Sequence, residues 1–357
     1  MDILSSIINN IKPLDENAMF EASCRMDKLI KPIGSLGRLE KLAVKISGMT
    51  GKIYNSINKK CVVVMAADNG ICEEGVSTSP QVITAMQSVN MARGLAGISV
   101  LCNHALSDLL VVDIGIKHDY MCESIINKKI RRGTWNFSKG PAMTHEEAVK
   151  AIETGMEITQ GLIKDGYDII GTGEMGIGNT SSSSAVIMGL TGCSAEEAVG
   201  KGSGLTEEAL INKRAVISKA IGINRPDSNN PMDVLAKVGG FDIAGLTGCF
   251  LAAAANRVPV IIDGFISAAA AMVAWRMNPL AKDYMIASHG SAEPGFDIIM
   301  QEMNLWPVLD LEMRLGEGTG CALMFNIIEA ALKLMNEMAT FEEVRMESSH
   351  LVDIRII

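Results

Sequence analysis

Short runs rich in β-branched residues alternate with longer helical patterns along the chain, and this alternation limits the folds open to it. The apolar runs are residues 61–67, 109–112, 168–170, 258–262, 285–287 and, with a weaker pattern, 307–309. Helical spacing of apolar residues is found in segments 80–101, 144–164, 195–221 and 268–277. Strands that alternate with helices form parallel sheets covered on both faces. The sequence therefore predicts an α/β fold with a doubly wound parallel sheet of about six strands.

Helical patterns without strand partners occur at both ends of the chain. They cover residues 3–10 and 16–29 at the start and residues 321–338 at the end. Chain termini commonly lie close together. We therefore expect residues 1–30 and 325–357 to form a small helical domain beside a large doubly wound domain of residues 31–324.

The charge and hydropathy of the chain limit which partners it can bind and in which cellular compartment we expect it. The net charge of −9, from 32 basic and 41 acidic residues, argues against a nucleic-acid partner. The longest apolar stretch, residues 250–275, is interrupted by Asn256, Arg257 and Asp263, so we expect no membrane span. The N-terminus lacks a basic segment followed by an apolar one, which favours the cytoplasm.

The eight cysteines bear on metal binding and redox chemistry. They include no C-x-x-C pair and do not cluster with the five histidines. We therefore expect free thiols rather than disulfides, and no metal site.

The segments that follow the predicted strands are polar and rich in glycine, and in a parallel sheet they meet at one edge. One of them contains G-x-G-x-x-G at Gly171, Gly173 and Gly176. A dinucleotide site is disfavoured because this pattern belongs after the first strand of such a fold, whereas here it follows the third. Glycine amides before a helix that starts near Asn179 or Thr180 predict a cradle for a single phosphate. The absence of a G-K-[ST] triplet disfavours a nucleoside triphosphatase.

Ionisable residues near these loops allow more than one interpretation. Glu317 is framed by glycines and could be a general base, which needs a raised pKa. It could instead complement a helix dipole, with Thr319 as the cap, and that placement would lower its pKa. Glu174 has the same ambiguity. Lys213 could serve the phosphate or be an ordinary solvated helix lysine, and His289 suits a turn better than a catalytic acid.

Five motifs together resemble one family. They are DNG (68–70), GEMGIGNT (173–180), HGSAEPG (289–295), LGEGTG (315–320) and the N-terminal KPIGSLGRLE (31–40). They are similar to those of the nicotinate-nucleotide:5,6-dimethylbenzimidazole phosphoribosyltransferases of cobamide biosynthesis. The resemblance covers nearly the whole chain, and the glutamate-containing glycine loops are its most specific parts.

The resemblance implies phosphoribosyl transfer from nicotinate mononucleotide to 5,6-dimethylbenzimidazole or a related base, by a homodimer that uses no metal or cofactor. It implies that Glu317 is the general base and that Glu174 supports it. The expected phosphate and nucleotide contacts are Gly176, Ile177, Gly178, Asn179, Thr180, Gly202, Lys213, Asp263 and Ser291. The expected contacts to the aromatic base are Ser79, Pro80, Met86, Gln87, Met175 and Leu315.

The chemistry of these substrates requires one base only. The nicotinate ring leaves as a neutral pyridine, so no general acid is needed, whereas the incoming benzimidazole must lose its N–H proton. Two alternatives remain open from the sequence. One is a family member that uses phenol or p-cresol as acceptor, some of which are dimers of unlike subunits. The other is a non-catalytic nucleotide sensor with the same phosphate cradle.

Overall fold

The computed structural model describes residues 3–202, 204–347 and 352–355. Six strands form one sheet in the order β3-β2-β1-β4-β5-β6, and all neighbouring strands are parallel. They are β1 (Lys60–Ala67), β2 (Asp108–Gly115), β3 (Ile126–Asn127), β4 (Ile169–Met175), β5 (Val260–Ile262) and β6 (Met285–Ala287). All eight residues of β1 are buried, so helices cover both faces of the sheet at its centre. The predicted α/β class and the doubly wound parallel sheet are confirmed.

The strand order places the ligand crevice. Strands β2 and β3 extend the sheet to one side of β1, and strands β4, β5 and β6 extend it to the other. The order therefore reverses between β1 and β4. In such sheets the crevice lies at this reversal, outside the carboxyl ends of the strands.

The prediction of a strand at 307–309 is wrong. Leu309 forms only an isolated parallel bridge with His289, because Pro307 has no N–H for a ladder and its carbonyl accepts from Arg38 Nη1 at 2.7 Å. The sixth strand is instead β3 at the opposite edge. With only two residues, β3 is too short to show an alternating pattern in the sequence.

Fourteen α-helices are present in the described part of the chain. They are α1 (Ile3–Asn9), α2 (Glu16–Lys28), α3 (Arg38–Thr50), α4 (Val82–Ala92), α5 (Gly97–His104), α6 (His145–Lys164), α7 (Asn179–Thr191), α8 (Ala195–Ala198), α9 (Glu207–Asn224), α10 (Pro231–Val238), α11 (Phe241–Ala255), α12 (Phe265–Met277), α13 (Pro294–Met303) and α14 (Thr319–Glu337). The predicted helix at 80–101 is two helices, because Gly94 turns the chain with a φ of +82°. The predicted helix at 195–221 is likewise divided, by a glycine-rich loop between α8 and α9.

Helix α11 is the centre of the core, since all fifteen of its residues are buried. It packs on α6 with the two backbones in contact. A Cβ at Gly155 would lie 1.8 Å from the Gly245 carbonyl oxygen, and one at Gly248 would lie 1.9 Å from the Ile152 carbonyl oxygen. These glycines fix α11 in place, and its first turn carries Asp242 to the edge of the crevice.

The two ends of the chain lie together. Arg25 Nε on α2 donates to the Met335 carbonyl oxygen on α14 at 2.9 Å, and Leu29 bridges to Thr340. Their division into a separate small domain stays a prediction. None of the described helices is both long and apolar enough to cross a membrane. The eight cysteines are all free thiols, of which four are buried.

Candidate active site

Strand β4 continues through Met175, five residues beyond the predicted end of the strand at residue 170, so Gly171 and Gly173 are strand residues and not loop residues. Their lack of side chains lets the segment before α14 approach the strand. A Cβ at Gly171 would lie 2.7 Å from Cys321 Cβ, and one at Gly173 would lie 2.4 Å from the Glu317 carbonyl oxygen. Two glycines of the G-x-G-x-x-G pattern therefore serve packing, and this packing brings Glu317 beside the end of β4.

Glu317 lies in a strained turn. Its φ is +66°, between Gly316 at +79° and Gly318 at +95°, and a left-handed conformation costs a residue with a side chain roughly 1 kcal/mol. Helix α14 then begins at Thr319, and its N-cap residue Gly318 makes no side-chain cap. The alternative in which Thr319 caps the helix is wrong, because its Oγ1 donates to the Gly316 carbonyl oxygen at 2.7 Å.

The Glu317 carboxylate is buried, and its two oxygens differ in their side-chain partners. Oε1 accepts from Gln87 Nε2 at 2.7 Å, whereas no side chain among the described residues bonds to Oε2. Burial raises the pKa of Glu317, and the hydrogen bonds from Gln87 and from the backbone of Ile98, at the start of α5, oppose part of that rise. The shift is the one that a general base needs, and it is opposite to the shift expected of an acid that complements a helix dipole.

Glu174 near the end of β4 is placed to stay neutral. Its Oε2 accepts from Asn179 Nδ2, which also donates to Asp242 Oδ2 at 3.0 Å. Burial raises the pKa of Glu174 to about 8 and that of Asp242 to about 6. A protonated Glu174 adds no negative charge beside Glu317, which suits a supporting role. Asp242 was missed in the sequence, where it looks like an ordinary acid in the first turn of a helix.

The predicted phosphate cradle lies at the start of α7, with Gly178 in the left-handed conformation as its N-cap. Two of its amides are already engaged. The Ile177 amide donates to Thr84 Oγ1 at 3.1 Å, and the Asn179 amide donates to the Gly176 carbonyl oxygen. Thr84 Oγ1 in turn donates to Asp68 Oδ1 at 2.8 Å, so the loop after β1 supports the cradle.

Lys213 on α9 is a buried cation. Its side chain is fully buried, and Nζ donates to Thr180 Oγ1 at 2.9 Å and to the Gly200 carbonyl oxygen at 3.2 Å. The interpretation of Lys213 as a solvated helix lysine is therefore wrong. Burial lowers its pKa to about 8. Lys213 reaches the cradle through Thr180 and places positive charge behind it.

A cavity of about 890 Å³ joins the cradle to the two carboxyl groups at the crevice. Most of the predicted site residues line it. They are Gln87, Glu174, Met175, Gly176, Ile177, Gly178, Asn179, Thr180, Gly202, Asp263, Ser291, Leu315 and Glu317.

The predicted contacts to the aromatic base do not all meet in this cavity. Ser79 and Pro80 line a neighbouring pocket of about 600 Å³, together with Cys72 and His118. Met86 is 56% exposed. The structure thus brings Gln87, Met175 and Leu315 to the cavity and places the other three outside its lining.

Charged residues that the sequence did not single out also line the cavity. Lys201, Arg214 and Arg314 are the cations among them, and Arg214 Nε is buried with no hydrogen-bond partner among the described residues. Glu293 Oε1 accepts from the Gly202 amide at 2.7 Å. The one available signal in the sequence was position, since Arg314 and Glu293 lie within or next to the family motifs.

His289 lines the cavity but is held in its wall. Its Nδ1 is 3.0 Å from Ser288 Oγ, and a Cβ at Gly320 would lie 2.0 Å from the same nitrogen. The ring therefore packs against the first turn of α14, as its interpretation as a structural residue predicts. The described residues contain no group of three or more His, Cys, Asp or Glu side chains that could hold a metal ion.

Comparisons with known proteins agree with this geometry. The sequence model of the Phosphoribosyltransferase family matches residues 11–346. A relative from Clostridium tetani, named nicotinate-nucleotide–dimethylbenzimidazole phosphoribosyltransferase, is 55% identical over 99% of this chain and 98% of its own. A relative of the same name from Ruminiclostridium cellulolyticum is 53% identical over 95% of this chain and 97% of its own.

A solved structure extends the similarity to three dimensions. The crystal structure of CobT from Thermus thermophilus matches with a TM-score of 0.90 and 36% identity, over 93% of this chain and all of that one. Sequence and fold therefore agree over nearly the full length of the chain. The chain belongs to the family of nicotinate-nucleotide–dimethylbenzimidazole phosphoribosyltransferases.

Proposed function

We propose that this protein transfers the phosphoribosyl group of nicotinate mononucleotide to 5,6-dimethylbenzimidazole. The observation that carries the proposal is the Glu317 carboxylate, buried and with a raised pKa, at the wall of a cavity that the phosphate cradle also lines. Gln87 holds Oε1 and no side chain among the described residues bonds to Oε2, so this carboxylate is equipped to accept a proton from a bound acceptor.

The bonds and charges of the reaction balance without a second acid or base. The bond from ribose C1′ to the pyridinium nitrogen breaks, and its electron pair neutralises the ring nitrogen of the departing nicotinate. A benzimidazole nitrogen attacks C1′ on the opposite face, through an oxocarbenium-like state, and gives an α-riboside. The N–H proton of the benzimidazole passes to the carboxylate of Glu317, which Gln87 holds through Oε1.

The cradle and the neutral Glu174 support this chemistry electrostatically. The phosphate would lie at the start of α7, where the helix N-terminus and the buried Lys213 favour negative charge. Glu174 holds its proton near neutral pH. It therefore leaves Glu317 as the base, without a second charge that would repel the phosphate.

The test is incubation of the purified protein with nicotinate mononucleotide and 5,6-dimethylbenzimidazole. We expect release of nicotinate that depends on both substrates, with an N-linked α-riboside phosphate as the other product. Phenol and p-cresol offered in competition should react less well, because the proton then leaves the attacking oxygen itself, which meets the carboxylate at a different point. Preferential O-linked product would identify a phenolic acceptor, and nucleotide binding without turnover would identify a sensor.

We further propose that the protein is a cytoplasmic homodimer. Large apolar side chains are exposed on and beside α5: Val100 and Leu315 line one shallow pocket, and Leu95 lies two residues before the helix. Exposed apolar side chains near one another are typical of protein interfaces. Sedimentation of the purified chain tests this proposal: a single species of two chains is expected, whereas a monomer that pairs only with a different subunit would favour a heterodimer.

A further inference from the structure

The strained turn at Glu317 needs a partner that holds it. Gly316 and Gly318 adopt positive φ without strain, but Glu317 between them also has a positive φ, and a residue with a side chain persists in that conformation only where the surroundings over-determine it. Helix α14 supplies no cap from its own N-cap residue. Within the segment, Thr319 Oγ1 bonds to the Gly316 carbonyl oxygen, but the amides of Gly318 and Gly320 find their acceptors elsewhere in the fold.

Asp263, which follows β5, supplies that partner. Its Oδ2 accepts from the Gly318 amide at 3.0 Å, and its Oδ1 accepts from the Gly320 amide at 2.7 Å. The Gly318 amide belongs to the peptide bond that joins Glu317 to Gly318. One carboxylate thus fixes the peptide plane directly after Glu317 and the first turn of the helix that follows it.

Asp263 is itself fixed on rigid elements. Its amide donates to Ser267 Oγ at 3.1 Å, and its carbonyl oxygen accepts from Ser288 Oγ at 3.2 Å. The residue is about 1% exposed, and His289 Nδ1 lies 4.0 Å from Oδ1. The carboxylate is thus anchored by α12 and by the residue after β6.

The same contacts disfavour a direct role in nucleotide binding, although Asp263 is one of the residues at the cavity wall. Both of its oxygens already accept from backbone amides. A buried carboxylate would also repel the phosphate of the substrate. The family resemblance implies a nucleotide contact at this position, whereas the hydrogen bonds favour another role.

We propose that Asp263 is a positioning residue that holds the general base Glu317 in place through the amides of Gly318 and Gly320. This inference rests on the proposed function, in which Glu317 accepts the proton. A carboxylate displaced by about 1 Å from its acceptor can lose on the order of 10²-fold in rate. Loss of Asp263 therefore affects turnover more than it affects nucleotide binding.

The test compares Asp263→Asn and Asp263→Ala with wild type. We expect kcat to fall about tenfold or more in Asp263→Asn and further in Asp263→Ala, since Asn keeps one acceptor oxygen and Ala keeps neither. The Kd of nicotinate mononucleotide should change less than about threefold. Asp168→Asn is the matched control, because Asp168 Oδ2 also accepts from two backbone amides, those of Asn58 at 2.7 Å and Lys59 at 3.1 Å, at the end of the sheet away from the crevice.

Each other outcome overturns the proposal. A Kd that rises more than kcat falls makes Asp263 a nucleotide contact. If kcat falls no more in the Asp263 variants than in Asp168→Asn, at an equal loss of Tm, Asp263 is an ordinary structural carboxylate. If both Asp263 variants fail to fold, Ser267→Ala is the milder variant, because it keeps the carboxylate and removes the hydroxyl that bonds to the Asp263 amide and to Thr172 Oγ1. A fall in kcat without a change in Kd is again expected, and an unchanged kcat contradicts the proposal.

Hydrogen exchange separates this proposal from the proposed function. In Asp263→Asn the amides of residues 316–320 should exchange faster than in wild type, with little change elsewhere. This readout needs no turnover. If wild type releases no nicotinate, the proposed function fails while the anchoring of the turn is still tested, and unchanged exchange in the variant refutes the anchoring.

Discussion

Replacing Glu317 with Gln removes the proposed base and leaves its shape. The amide oxygen can still accept from Gln87 Nε2, and the new amide nitrogen takes the place of Oε2, to which no side chain among the described residues bonds. Loss of a general base costs on the order of 10²-fold or more in kcat, equal to about 2.7 kcal/mol or more of transition-state stabilisation.

Binding and stability should respond differently from turnover. The pKa of Glu317 is raised by burial, so the ionised side chain costs folding free energy at pH values above its ordinary range, and Gln does not carry that cost. We therefore expect Glu317→Gln to melt at or above the Tm of wild type near pH 8. The Kd of nicotinate mononucleotide should be nearly unchanged.

The assay is nicotinate release under saturating substrates, with the Kd measured by calorimetry and the Tm by thermal unfolding. Glu312→Gln is the matched control, since it removes the same charge from an exposed position on the same segment and should leave all three quantities near wild type. If Glu317→Gln turns over within about threefold of wild type, Glu317 is not the base.

Three further predictions concern the surroundings of the site. Gln87→Leu removes the donor that stabilises ionised Glu317, so the acid limb of the pH profile of kcat/KM should move to higher pH, and an unmoved limb would show that this hydrogen bond does not tune the base. Burial raises the pKa of Glu174 from 4.5 to about 8. The free energy of unfolding of the wild type should therefore fall relative to that of Glu174→Gln as the pH rises from 4.5 to about 8, and should fall no further above that pH. A difference in Tm between the two proteins that does not depend on pH contradicts this. Lys213→Met should raise the Kd of nicotinate mononucleotide about tenfold or more while binding of free dimethylbenzimidazole changes little. Lys219→Met, at an exposed position of the same helix, should change neither, and equal losses for both ligands in Lys213→Met would indicate misfolding.

The parts of the fold that local pattern determines were predictable. The run at 61–67 matches the fully buried β1 closely, because a central parallel strand is apolar on both faces. The sequence predicts an end of β4 at residue 170, because Gly171, Gly173 and Glu174 look like loop residues. Their place in a strand depends on contact with the Glu317 segment, more than 140 residues further along the chain, and no local pattern reports such a contact.

In the site, too, local sequence indicates which residues do chemistry, whereas only the tertiary fold determines where some of them lie. Glu317 and the cradle could be found from their glycine-rich loops, since glycine and carboxylate together indicate close approach to a ligand. Lys213 looks solvated by local pattern, and only the tertiary fold buries it against Thr180. The role of Asp263 depends on amides 55 and 57 residues away, so its sequence neighbours could not distinguish a cap from a nucleotide contact.

Helix α14 connects the reacting end of the molecule to its termini. Its nineteen residues span roughly 28 Å at 1.5 Å per residue, from the turn at Glu317 to the segment where Arg25 bonds to Met335. A packed helix of this length moves nearly as a rigid body. A change in the packing of α2, by a tag, a truncation or a neighbouring chain, therefore acts on the far end of the helix that begins beside Glu317.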